Sequence, residues 1–182
     1  YDVITESAPI QNYNLAVSGG ADRSRYMMSL DYFDQKSVMK FSNFKRYTFR
    51  VNTEFNIKKN IRIGENIQFL ISERNDAGNN GEGTELGMAY RNQPIIPVFD
   101  IAGNYAGSRA PNLGNASNPY ATRERAKDNR GNNSSLFGNA YLEVDFLKHF
   151  TFRTSIGGTY GTYDYYSFNF ITYENSENNT GN

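Results

Sequence analysis

The chain has 182 residues, of which 38% are hydrophobic, and its mean hydropathy of -0.69 is low for a compact core although aromatics reach 15%. Lys plus Arg and Asp plus Glu are equal at 19 each, which leaves no overall field to draw in nucleic acid. The absence of cysteine removes disulfides, thiol catalysis and thiolate metal sites, and with no apolar run of about 18 residues a bilayer could be crossed only by β-strands.

Fourteen Tyr, 13 Phe and 16 Gly favour strands joined by turns, and period-2 alternation of apolar and polar residues recurs along the chain. In NYNLAVS, Tyr13, Leu15 and Val17 oppose Asn12, Asn14, Ala16 and Ser18. GGAD then signals a turn near residues 19–23, and SRYMMSLDYF sets Tyr26, Met28, Leu30 and Tyr32 against Arg25, Met27, Ser29 and Asp31. After a longer link at residues 34–44, RYTFRVNTEFNI places Tyr47, Phe49, Val51, Phe55 and Ile57 on one side and Thr48, Arg50, Asn52, Glu54 and Asn56 on the other, with Thr53 a polar exception among the apolar set. A tight turn near 58–60 leads into IRIGENIQFLIS, where Ile61, Ile63, Ile67, Phe69 and Ile71 face away from Arg62, Asn66, Gln68 and Ser72. A third hairpin turns near 147–149. Ala140, Leu142, Val144 and Phe146 form one side of its first strand, and Phe150, Phe152, Ile156, Tyr160, Phe168 and Phe170 share a parity in the second.

Connections that run short, long, short, long, short predict an all-β, antiparallel up-and-down meander of about six strands with its tight turns at one end. Strands of about 10 to 20 residues exceed the usual 5 to 6 and suit a tilted membrane-spanning strand. Aromatics cluster near strand ends, as in the girdles of membrane barrels. The pattern therefore predicts part of a large transmembrane β-barrel. A surface-displayed soluble β-sandwich that binds carbohydrate through loop aromatics shares the alternation and stands as the alternative.

The link at about residues 73–136 is long enough to be functional. Within it, PIIPVFD and AGNYAG predict a small hairpin, and PYATRERAKDN a short helix begun just after Pro119. Its aromatic and arginine residues Tyr90, Arg91, Tyr105, Arg109, Tyr120 and Arg123 are the candidate substrate contacts, able to stack on and hydrogen-bond a sugar or peptide. DAGNNG at residues 76–81 imitates a calcium loop weakly, since Gly87 stands where a bidentate Glu is needed. His149 is the lone histidine and reads as a turn residue. Glu143 and Asp145 lie two apart on one strand face, and such pairs arise routinely from the charges of a polar barrel interior as well as in glycosidases. No enzyme activity, cofactor or metal is expected.

The order QNYNLAVSGGADRSRYMMSLDYFDQKSVMKFSNFKRYTFRVNTEFNI resembles the early barrel of SusC/RagA-type TonB-dependent outer-membrane transporters. The family's N-L-S-x-S-G-G, Y-x-x-S-x-x-Y-x-x-Q-x-G and F-x-R-Y-x-x-R-x-N segments correspond to residues 14–20, 26–35 and 44–52. Ala16 replaces a common Ser, and Lys36-Ser37 stands where Gly is usual. PIIPVFDIAGNYAG, NPYA and GNAYLEVDFLKHFTFRTSIGG are similar to later family segments, so the resemblance covers nearly the whole chain. It implies residues 1–182 as a piece of barrel domain with an extracellular loop at 73–136 and no plug domain of its own. The intact protein would be a barrel of roughly 22 strands around a plug, in the outer membrane of a Bacteroidetes-like Gram-negative cell. The implied partners are a TonB complex acting through the plug, a SusD-like surface lipoprotein, outer-membrane lipid, and a glycan or peptide substrate.

Overall fold

The computed structural model describes residues 2–75, 83–109 and 111–174, and the calcium-loop likeness at 76–81 lies outside them. Six strands run β1 (Ile10–Ala21), β2 (Ser24–Lys36), β3 (Asn43–Lys58), β4 (Ile61–Asn75), β5 (Arg130–Phe146) and β6 (Phe150–Tyr166), with α1 (Glu85–Arg91) and α2 (Pro119–Arg125) between β4 and β5. They form one antiparallel sheet in the order β1-β2-β3-β4-β5-β6, the predicted meander. Among the described residues no second sheet covers it, so the sandwich alternative lacks its other half.

The sequence parity becomes two faces. Across the sheet one paired row reads Tyr13, Tyr32, Tyr47, Ile71, Ser134, Thr162, and the next of the same face reads Leu15, Leu30, Phe49, Phe69, Leu136, Tyr160. These side chains stay open: Leu15 is 65% exposed and Ile156 79%. The only buried hydrophobic residues among those described are Ile4, Ala116 and Ala121, none of them in a strand. Water cannot be the intended medium for so continuous an apolar surface.

The band has a measurable height. It runs from Tyr47 to Ile57 in β3, Ile61 to Ile71 in β4, Leu136 to Phe146 in β5 and Phe150 to Tyr160 in β6. Below the tyrosine row, β2, β4 and β6 continue for 8, 10 and 12 residues to their turns, as the positions of Tyr32 and Ser24, Ile71 and Ile61, and Thr162 and Phe150 give. Each hairpin is therefore offset by two residues, about 6.6 Å, over two strand spacings of about 9.6 Å, a tilt of roughly 35°. Ten residues at that tilt rise about 27 Å, close to the roughly 25 Å apolar band of outer-membrane barrels. One row above the tyrosines the same face turns wholly polar, with Gln11, Asp34, Lys45, Glu73, Asn132 and Asp164 in register. Tyr13, Tyr32 and Tyr47 mark that boundary, with ring centroids 6.3 and 5.0 Å apart.

This polar crown explains where the sequence reading of boundaries fell short. Alternation in hydrophobicity ends near residue 72 and resumes near 136, but the ladder continues to Asn75 and starts again at Arg130 because backbone pairing outlasts the apolar band. The connecting segment is thus 76–129 rather than 73–136, and the link between β2 and β3 is 37–42. At the other end, Gly19 and Gly20 belong to β1 and the turn contracts to residues 22 and 23. Gly19 is there because Tyr26 lies across it, its hydroxyl 2.5 Å from where a Cβ would stand. Phe168 and Phe170 lie beyond β6, which ends at Tyr166. Leu147 and Lys148 take left-handed φ values of 51° and 63° in the last tight turn, and His149 follows them there.

One charged residue breaks the apolar band. Glu65 shares the parity of Ile63 and Ile67 and pairs across with Thr53 and Ala140. The Thr53 hydroxyl donates to Glu65 Oε1 at 3.1 Å, so the polar exception noted at Thr53 serves a carboxyl four residues above the lower edge of the band.

Candidate functional site

The segment between β4 and β5 folds onto the rim that carries the long connections. Asn118 organises it. Its Oδ1 caps α2 by accepting from the N–H groups of Tyr120 and Ala121, both at 3.1 Å, with Pro119 in the first helical position. Its amide donates to the Val98 and Ala106 carbonyls at 2.7 and 2.9 Å. Those carbonyls flank the predicted hairpin, which closes through the bridge between Phe99 and Tyr105, with Asp100 Oδ1 accepting from Ala102 and Asn104 in the turn. Helix α1 was not foreseen. It is capped by the Thr84 hydroxyl, which accepts from Gly87 N–H.

Arg123 fastens this unit to the sheet. It is 1% exposed, and its guanidinium donates to the Lys40 and Phe41 carbonyls, the Ser42 hydroxyl and Asn75 Oδ1 while facing Glu85 at 3.5 Å. Phe41 has φ of 62°, a strained position for a bulky residue, and its carbonyl is one of those held. The expectation that Arg123 presents itself to a ligand gives way for this reason. Burial of the group among five oxygen partners makes it a strut between the helices and the β2–β3 turn.

The other candidates divide into two sets. Tyr105 and Tyr120 come together with centroids 6.4 Å apart, joined by Phe99 at 5.6 and 5.7 Å and, through Tyr120, by Phe41 at 6.2 Å. Tyr105 donates its hydroxyl to Glu124, and burial, reinforced by that bond, pushes its pKa up to about 12. Arg125 lies between the rings of Tyr105 and Tyr173, at 5.0 and 5.5 Å, and forks onto Glu174 at 2.6 and 3.1 Å. Burial alone would raise the Glu174 pKa, but the Arg125 bonds and the Tyr173 N–H hold it below the ordinary carboxylate value. A side chain at Gly107 would collide with the Glu174 carbonyl, so the segment after β6 seats flush against the loop. Tyr90 and Arg91 on α1 and Arg109 after the hairpin are exposed, Tyr90 to 75%.

Residues not singled out in the sequence complete the rim: Asn118, Glu85, Ser42 and Asn75 by their bonds, and Phe44, Arg74 and Tyr163 on the polar face below. Asn118 before Pro119 is a legible helix cap; the others act across sequence distances that local patterns do not encode. Lower on the polar face Glu143 takes both Arg62 and Arg153, and Asp145 accepts from Thr151. This is a charge network, in keeping with the reading of that pair as interior charge.

No family model matches the chain. Among curated proteins it is similar to TonB-dependent receptor P3 of Formosa agariphila, 31% identical over 163 residues that make up 86% of this chain and 16% of the receptor. It is also similar to TonB-dependent receptor SusC of Bacteroides thetaiotaomicron, 27% identical over 87% of this chain and 18% of that protein. The chain thus spans less than a fifth of the length of these relatives. In fold it matches a chain of the RagAB peptide importer in the closed-closed state, with TM-score 0.68 at 22% identity, and in the open-open state, with 0.69 at 23%. Each match covers 89% of this chain and 18% of the other.

Proposed function

Because the chain belongs to the SusC-like family of TonB-dependent transporters, a family of receptors and transporters rather than enzymes, we propose that it forms six staves of an outer-membrane barrel that imports a nutrient. The observation that carries this reading is the single-layer sheet whose apolar face is ten residues tall on four successive strands. Its opposite face is mainly polar, with Phe33, Phe44, Leu70 and Phe137 interspersed, and would line a hydrated lumen or the plug, with Arg50, Asn52 and Glu54 facing inward. The tight turns would lie in the periplasm and the clasped segment on the cell surface.

On this reading the chain makes and breaks no covalent bonds. Glycan or peptide substrate, delivered under a SusD-like lipoprotein, would meet the surface loop, where Tyr90, Arg91, Tyr105, Arg109 and Tyr120 offer ring faces and hydrogen-bond donors. Inward release would follow when a TonB complex pulls on a plug supplied by the intact protein. The Arg123 strut suits this role, because a binding loop held rigid surrenders less conformational entropy on capture.

The test is fractionation followed by uptake. The intact protein should require detergent to leave an outer-membrane fraction, and recovery in buffer alone would sink the barrel reading. Deleting its gene should abolish energised uptake of at least one oligosaccharide or oligopeptide; unchanged uptake of every substrate tried would count against transport.

A further inference from the structure

The chain is neutral overall, yet the sheet sorts its charges. Six of the seven strand arginines, Arg25, Arg46, Arg50, Arg62, Arg74 and Arg153, stand on the polar face, and Arg130 alone shares the apolar parity. That face carries four strand carboxylates, Asp31, Glu54, Glu143 and Asp145, which leaves it two positive charges in excess. Toward the tight turns Glu143 serves Arg62 and Arg153, and in mid-sheet Arg50 donates to Gln68 at 2.8 Å.

Near the rim one arginine keeps a donor unused. Arg46 reaches Asp31 with one nitrogen at 3.3 Å and rests over the Phe33 ring, but its buried Nε finds no acceptor among the described residues. Arg74 lies over the Tyr163 ring at 5.7 Å and donates to its hydroxyl at 3.3 Å. The register pairs Phe44 with Arg74 and Arg46 with Ser72, so the two arginines are diagonal neighbours on one face, their Cα atoms about 7 to 8 Å apart. Two clefts flank Phe44, and Phe44 and Arg74 line both. One is completed by Gln35, Ser37, Ser42 and Asn43, directly beneath the Arg123 strut; the other by Ser72, Asn133 and Tyr163. Ring faces, amides, hydroxyls and the Arg74 guanidinium line these clefts, and the unanswered Nε of Arg46, one diagonal step away on the same face, calls for an acceptor.

We propose that Arg46, Arg74 and the clefts around Phe44 form a subsite for a carboxylate carried by the cargo, so that the transported oligomer is acidic. The inference rests on the transport reading above and names its substrate class. A guanidinium fork takes a carboxylate in a planar, bidentate grip that a neutral sugar or amide cannot reproduce. The shared chemistry is the carboxylate, whether of a uronic acid or of an acidic peptide.

The test uses the full-length transporter, purified in detergent and titrated calorimetrically with tetragalacturonate against maltotetraose, and with tetraglutamate against tetraglutamine. At least one acidic probe should bind more tightly than its neutral counterpart, by about tenfold to a hundredfold, the worth of one or two charge-assisted hydrogen bonds. The first pair of probes reports a uronate, the second a peptide. Arg46→Gln and Arg74→Gln should each erase most of that preference by weakening acidic binding far more than neutral binding, while Arg74→Lys retains part of it. Heat-modifiable migration in detergent gels checks that each variant forms a barrel, and the salt sensitivity of acidic binding to the unaltered protein gives an independent reading should a variant fail. No acidic preference in the unaltered protein, or equal loss of acidic and neutral binding in the variants, overturns the subsite. Energised uptake of a neutral oligomer without acidic preference sinks the subsite and keeps the transporter; acidic binding without any energised uptake does the reverse.

Discussion

Arg123 donates from Nη2 to the hydroxyl of Ser42 at 2.7 Å, across 81 positions of sequence, and so couples the segment after β4 to the turn before β3. Arg123→Ala would strand Glu85, itself buried, without its cation. Breaking a buried pair in this way typically destabilises by about 3 to 5 kcal/mol. The loss should stay local: amide protons of α1, α2 and the 98–106 hairpin exchange faster, while those of β3 and β4 keep their protection. Equal protection of the loop before and after the change would refute the strut.

The two faces of β3 should respond oppositely to charge. Val51 lies four residues below the tyrosine row, near the middle of the band, and Asn52 points to the other side. Val51→Arg should destabilise the barrel by about 2 to 4 kcal/mol, and Asn52→Arg by far less. Denaturant unfolding of the barrel in lipid vesicles measures both, and similar tolerance at the two positions would refute the facing of the sheet.

Glu65 makes the converse prediction. Its carboxyl stands within the apolar band with the Thr53 hydroxyl as partner, a placement that is unfavourable for an acidic residue, though less so than for Arg or Lys at the same depth. Glu65→Leu should raise the unfolding midpoint in lipid vesicles. A lowered midpoint would mean that the carboxyl meets a partner on the outer wall.

The clasp between Arg125 and Glu174 should respond to acid. Because the folded pKa of Glu174 lies below its ordinary value, the stability it contributes is present above that ordinary value and is lost as pH falls through the lower, folded one. Protection of residues 98–125, taken relative to intrinsic exchange at each pH, should therefore fall below the usual carboxylate range. Glu174→Gln should loosen the loop at neutral pH and flatten the response; an unaltered acid response in that variant would assign it elsewhere.

Much of the fold was written in parity. Tyr47, Phe49 and Val51 announce their side because each lies two residues from the next, and the sheet needs no other information to sort them. The ends were less legible: Arg74 and Asn132 are paired strand residues on stretches where the surroundings are aqueous on both faces, so no alternation marks them. Within the site, Tyr105 and Tyr120 were foreseeable as ring-bearing loop residues, and the helix after Pro119 by its capping signal. Arg123 misled because an arginine in a polar stretch reads as solvated, whereas here it is enclosed by backbone oxygens from the β2–β3 turn, some 80 residues earlier. Glu65 was overlooked among five apolar neighbours of its own parity.

The meander also sets an order of assembly. Every strand pairs with its neighbour in sequence, so most of the sheet can zip up through turns of two or three residues, but β4 and β5 meet only after 54 intervening residues are gathered in. Closing that loop carries roughly 2.5 kcal/mol more entropy loss than closing the three-residue turn between β5 and β6. β1 to β4 should thus form as one unit and β5 to β6 as another, with their union the slow step. The knot around Arg123 bridges that seam, its partners Lys40, Phe41, Ser42 and Asn75 all belonging to the first unit. It can close only once the intervening loop has returned to the sheet, which makes it a latch on the last joint to be made.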